Sequence, residues 1–163
     1  MSFGTLLVIV ALGAVFFVAS IPSLPSVVAS HFGAGGVADG FMPRDTYIMF
    51  MSVVSLGVPL TVGVLLRQLR RIPVSLINIP NRDYWLAPER ADASRQYLAR
   101  HGTIFPALLV VFLCFVHWQV IGANRVHPAR IAERPFIVGL VLLLLVTIVW
   151  VGALFAHFRR PRS

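Results

Sequence analysis

Lysine is absent from this sequence: all fourteen basic residues are arginine, and only six acids oppose them. Charged residues make up 12% of the chain. A water-soluble domain uses about 25% to wet its surface. The few charges are also clustered. None falls between Met1 and Ala38, between Asp45 and Arg67, between Arg100 and Arg125, or between Arg134 and Arg159. A soluble helical core would need amphipathic helices with a charged outer face, and Val138–Phe155 has no polar face at all. The single cysteine, Cys114, lies inside an apolar run, which excludes a disulfide framework. Also missing are a Gly-x-Ser-x-Gly elbow, a His-Glu-x-x-His pair and a phosphate-binding glycine loop between strand and helix. The apolar runs contain no acid, so a self-contained ion or proton transporter is disfavoured.

What remains is hydrophobic: 58% of the residues. A helix crosses the ~30 Å hydrocarbon core in about 20 residues. Each uncharged stretch is that long, and the spans are placed near 3–21, 46–66, 103–122 and 135–157. The expected fold is an all-α membrane protein, a single domain over 1–163 with four transmembrane helices in a bundle. The first span lacks the basic n-region of a cleaved signal peptide and reads as a signal anchor.

The net charge of +8 comes from arginines beside the spans, so it reads as topology signal and contact with anionic lipid rather than as a nucleic-acid surface. Arg67, Arg70, Arg71, Arg82, Arg90, Arg95 and Arg100 follow the second span, and Arg159, Arg160 and Arg162 end the chain. The positive-inside rule then puts both termini in the cytoplasm, N-in/C-in, in a multi-pass protein of a bacterial inner membrane. Arg125, Arg130 and Arg134 in the short second outer loop run against the rule.

Between the spans, Ile21–Met42 is rich in Gly, Pro and Ser and is expected to be an ordered turn-rich loop, with a short helical turn at Ser26–His31. Pro59 should kink the second span and leave a carbonyl near Ser55 seeking a partner. Arg67–Asn81 should be irregular. Pro88 opens an amphipathic stretch that feeds the third span and should lie at the headgroup level. Gly57, Gly63 and Gly139 are candidate seats for a neighbouring protein's helix.

The chain has five histidines: His31, His101, His117, His127 and His157. Opposed pairs in a four-helix bundle are one way to ligate haem. His117, with Gln119, is a candidate buried polar site, because an ionisable group inside a span must face the bundle or a polar cavity. A pairing of His117 with His31 or Asp39 would supply ligand types suited to zinc. The residue pattern nonetheless predicts no cofactor, with a metal or haem as the alternative.

Leu24-Pro25, His31-Phe32, Gly36 and Asp39-Gly40 together resemble the signature of an uncharacterised bacterial integral-membrane domain family, a domain of unknown function. That domain also forms the N-terminal part of SdpI-type immunity proteins. Asn78-Ile79-Pro80-Asn81 with Tyr84-Trp85 is similar to a run in short stand-alone members. This chain departs from the pattern in carrying Ala29-Ser30 where a second proline often precedes the histidine. The resemblance implies that His31, Phe32, Gly36, Asp39 and Gly40 form one structural unit, in which Asp39 accepts from His31 or caps the approach to the second helix.

Three functional expectations follow. The first is a non-enzymatic membrane protein that binds another membrane protein, a peptide or itself, as an immunity-like or accessory factor. The second is a supernumerary subunit of a larger membrane complex. The third is a metal- or haem-binding redox component.

Overall fold

The structure is a computed structural model describing residues 1–159. The distal arginines of the basic tail, Arg160 and Arg162, lie outside the described residues. Four helices among these are long and apolar enough to cross a membrane: Phe3–Ser23, Arg44–Arg71, Ala91–Ala123 and Glu133–Arg159. The chain is a multi-pass membrane protein by this measure. Val8, Leu12, Val15, Val141, Ile148 and Val149 point outward from the bundle. Such a continuous apolar exterior would be an aggregation surface in water and matches hydrocarbon instead.

Helix α1 (Phe3–Ser20) opens with Ser2 as its cap, the hydroxyl accepting from the Thr5 N–H at 3.1 Å. Pro22 turns the chain out of the helix through Ile21–Ser23. The expected loop with a helical turn at Ser26–His31 is instead a β-hairpin. Strand β1 (Val27–Phe32) pairs antiparallel with β2 (Ala38–Pro43). Gly35 and Gly36 make the reversal with φ of 79° and 72°. The register slips around Ser30, so the short segment never shows a clean polar–apolar alternation.

Helix α2 (Arg44–Ser52) runs through a π-helical turn, Val53–Gly57, into α3 (Val58–Arg67). The π turn sits directly before Pro59 and absorbs the missing donor of that proline. Ser55 within it is fully buried, and its hydroxyl has no hydrogen-bond partner among the described residues. Beyond Arg67 come two short turns, Gln68–Arg71 and Val74–Leu76, then α4 (Arg82–Trp85). Helix α5 (Ala91–Gly102) meets α6 (Ile104–Ala123) at Thr103 to make one long rod. The amphipathic α5 packs on Gln68–Arg71 and α3 rather than standing alone. Helix α7 (Glu133–Arg159) packs on α6. Its apolar window buries nothing within the chain, and Phe158 at its end is its buried residue.

Two of the three glycine seats, Gly63 and Gly139, are occupied from within, while a Cβ on Gly57 would meet only Val53 of its own turn, at 3.9 Å. A Cβ on Gly63 would come within 2.3 Å of Leu6, and one on Gly139 within 2.5 Å of Phe115. They bring α3 against α1 and α7 against α6, instead of waiting for a foreign helix. A core of Phe17, Leu24, Val28, Tyr47, Met51, Val120 and Ile121 fills the hairpin end.

Candidate functional site

The hairpin is held to the bundle by a side-chain amide and by backbone groups of distant segments. The Asn124 side-chain Oδ1 accepts from the Ala29 N–H at 2.8 Å, and its Nδ2 donates to the Ala29 carbonyl at 3.0 Å and the Val120 carbonyl at 2.9 Å. One amide thus satisfies the N–H and C=O of Ala29 on the outer edge of β1, as a neighbouring strand would at that residue. On the other side, the Ala38 N–H donates to Ala129 O at 3.0 Å and the Ile131 N–H to Gly36 O at 2.9 Å. A Cβ on Gly36 would fall 2.7 Å from the Ile131 carbonyl, so only glycine allows this pairing.

His31 and Asp39 face each other across the hairpin, Nδ1 to Oδ1 at 2.5 Å, with 75% and 54% of their side chains exposed. Gly40, opposite His31 in the register, leaves room for it: a Cβ there would be 2.8 Å from the His31 Cβ. Phe32 leans on the core below. The five motif residues therefore share one hairpin.

His117 does not join them: its ring is bonded to Ser20 and Tyr47, not to His31 or Asp39, the alternative partners raised for it. It is fully buried between α1, α2 and α6. Its Nε2 lies 2.7 Å from Ser20 Oγ and its Nδ1 2.9 Å from the Tyr47 hydroxyl, with the Phe17 ring stacked at 4.3 Å. The one Ser20 hydroxyl hydrogen is donated to Phe17 O at 2.7 Å. The serine oxygen therefore accepts from the ring Nε2–H, and Tyr47 donates to Nδ1. Every polar atom of the ring has a partner, which is what lets an imidazole sit inside the bundle. Serine, histidine and tyrosine in this order have the outline of a nucleophile, a base and an orienting group. Ser20 ends α1, where carbonyls rather than N–H groups of the helix converge. The arrangement is a three-helix lock.

At the opposite end, Asn78-Ile79-Pro80-Asn81 and Tyr84-Trp85 lead into and form α4. Asn81 adopts φ 51°, a left-handed conformation asparagine tolerates. Its Nδ2 donates to the carbonyls of Phe158 at 3.1 Å and Arg159 at 3.0 Å, and Trp85 Nε1 donates to Phe158 O at 2.8 Å. These bonds tie α4 to the carbonyls of the last described residues of α7. A column of stacked rings runs Trp150–His101–Tyr97–His157–Trp85. Tyr97 stacks against both histidines, at 5.5 Å and 3.7 Å, and occupies the space an iron between them would need. Among the described residues no three of His, Cys, Asp and Glu come together as a metal site.

The resemblance drawn from Leu24–Gly40 rests on a segment that covers most of α1, the hairpin, α2 and nearly all of the π turn. Residues 8–56 match the family model of DUF1648, a domain of unknown function. No curated protein and no solved structure matches the chain. The DUF1648 segment supplies Ser20 and Tyr47 of the lock and the whole hairpin. His117, Asn124 and 129–131 lie outside it, so the matched unit completes its core and its sheet edges with the second half of the chain. Asn124 went unnoticed in the sequence because nothing near it in the chain hints at a strand to clamp.

Proposed function

We propose that this is a non-enzymatic protein of the bacterial inner membrane, N-in/C-in, that presents its hairpin outward to bind another membrane protein or peptide. The observation carrying this reading is the asymmetry of the sheet. Its β1 edge is capped at Ala29 by Asn124, and 129–131 pair beside Gly36–Ala38. Beyond Ala38 no segment among the described residues pairs with the outer edge of β2, and Phe41 on it is 60% exposed. An open edge on an anchored hairpin is a template for strand addition, at little cost in ordering. The closed hydrogen bonding of His117, with both ring nitrogens partnered, favours binding over catalysis.

An immunity-like role is one form of this reading. The test is purification in mild detergent followed by mass spectrometry, with Phe41→Pro beside the wild type. A stoichiometric partner that Phe41→Pro releases is expected. A partner retained by that variant would refute recognition through β2. A chain that always purifies alone would remove the binding reading. A reporter fused after Ser163 should be active only in its cytoplasmic form, and periplasmic activity would reverse the orientation.

A second reading, a subunit of a larger membrane complex, is favoured by α7. Its apolar window buries nothing at home, and it leaves a cavity of about 480 Å³ against α6, lined by Val111, Phe115, Val138 and Leu142. A partner that survives Phe41→Pro but is lost on Leu142→Trp would select this reading over the first.

A further inference from the structure

The arginine that breaks the positive-inside pattern most sharply, Arg125, lies just past the end of the third span. It lines a cavity of about 330 Å³ between the hairpin ends of α1 and α6, together with Ser20, Ser23, Trp118 and Gln119. Ser23 and Gly122, at or beside the last residues of their spans, also line it, so the cavity sits where hydrocarbon gives way to headgroups. No acid lines it, and Arg125 has no side-chain partner among the described residues. Gln119 is 7% exposed; its Nε2 donates to Ala132 O at 3.4 Å while its Oε1 has no hydrogen-bond donor among the described residues. Trp118 is 57% exposed, as an interfacial ring would be.

From this set we infer a binding site for one phospholipid whose headgroup carries a hydrogen-bond donor. The guanidinium of Arg125 takes the phosphodiester, the free Gln119 oxygen accepts from a headgroup hydroxyl or ammonium, and the acyl chains descend past Phe16 and Trp118. A phosphate held there also gives a positive charge on this loop a reason to exist. The inference is independent of partner binding through β2.

The test is native mass spectrometry of the full chain from detergent supplemented with phosphatidylglycerol, phosphatidylcholine or inorganic phosphate. Wild type should keep one phosphatidylglycerol per chain and discriminate against phosphatidylcholine, which offers no donor. Arg125→Gln should lower retention by about tenfold, the factor carried by one charge-assisted hydrogen bond, and Arg125→Lys should restore most of it. Gln119→Leu should erase the preference between the two lipids while leaving phosphatidylcholine retention unchanged. Equal retention in wild type and Arg125→Gln, both folded by circular dichroism, would overturn the site. Displacement of the lipid by inorganic phosphate would overturn the lipid assignment, and so would a Gln119→Leu chain that still discriminates.

Discussion

The two ends of this bundle are built from different materials. At the hairpin end, single polar side chains reach across long sequence separations: Asn124 to Ala29, and His117 to Ser20 and Tyr47. At the other end, rings stack in a column and aromatic or amide donors close the tail of α7. Hydrogen bonds are directional and leave buried orphans when one partner goes. Stacked rings shift and repack with smaller loss. The hairpin end should therefore respond to single substitutions steeply and locally, and the ring column shallowly.

Asn124→Ala should have the largest effect. It strands the N–H and C=O of Ala29, a residue 1% exposed, at a cost of about 3 kcal/mol. Hydrogen exchange at Val28–His31 should rise about a hundredfold with α7 unaffected; exchange that stays at the wild-type level would show that the amide is not the clamp. His117→Leu should come next. It leaves the Tyr47 hydroxyl buried without its acceptor, costing about 2 kcal/mol. Combined with Tyr47→Phe the loss should shrink, because the orphan is gone; strict additivity would argue against the lock.

Trp85→Phe should matter less. One hydrogen bond to Phe158 O is lost while the ring stays in the column, about 1 kcal/mol. Protection should fall at the end of α7 and not in the hairpin, and a change in the hairpin would erase the contrast between the two ends. His31→Ala with Asp39→Ala should show the smallest coupling, about 0.5 kcal/mol, because both groups are largely exposed. A cycle with no coupling at all would remove the contact.

Apolar runs and arginine clusters made the four spans readable, since length against bilayer thickness is a local property. The hairpin was not readable, because Val27–Phe32 becomes a strand only by pairing with Ala38–Pro43 and docking on Asn124. The contact of His31 with Asp39 followed from their placement on one tight unit. The partners of His117 did not, because Ser20 and Tyr47 sit on other helices and carry no signal of their own. Asn78–Trp85 stood out in the sequence, and its structural role as the closure of α7 lies in contacts 73 to 78 residues away.

The central claim is that the open edge of β2 is the recognition surface. A photoreactive side chain placed at Phe41 in living cells, compared with one at Leu76, 74% exposed at the other end, tests it directly. The account predicts a discrete crosslinked species from Phe41 and none from Leu76. Crosslinking from Leu76 alone, or from neither, would contradict it.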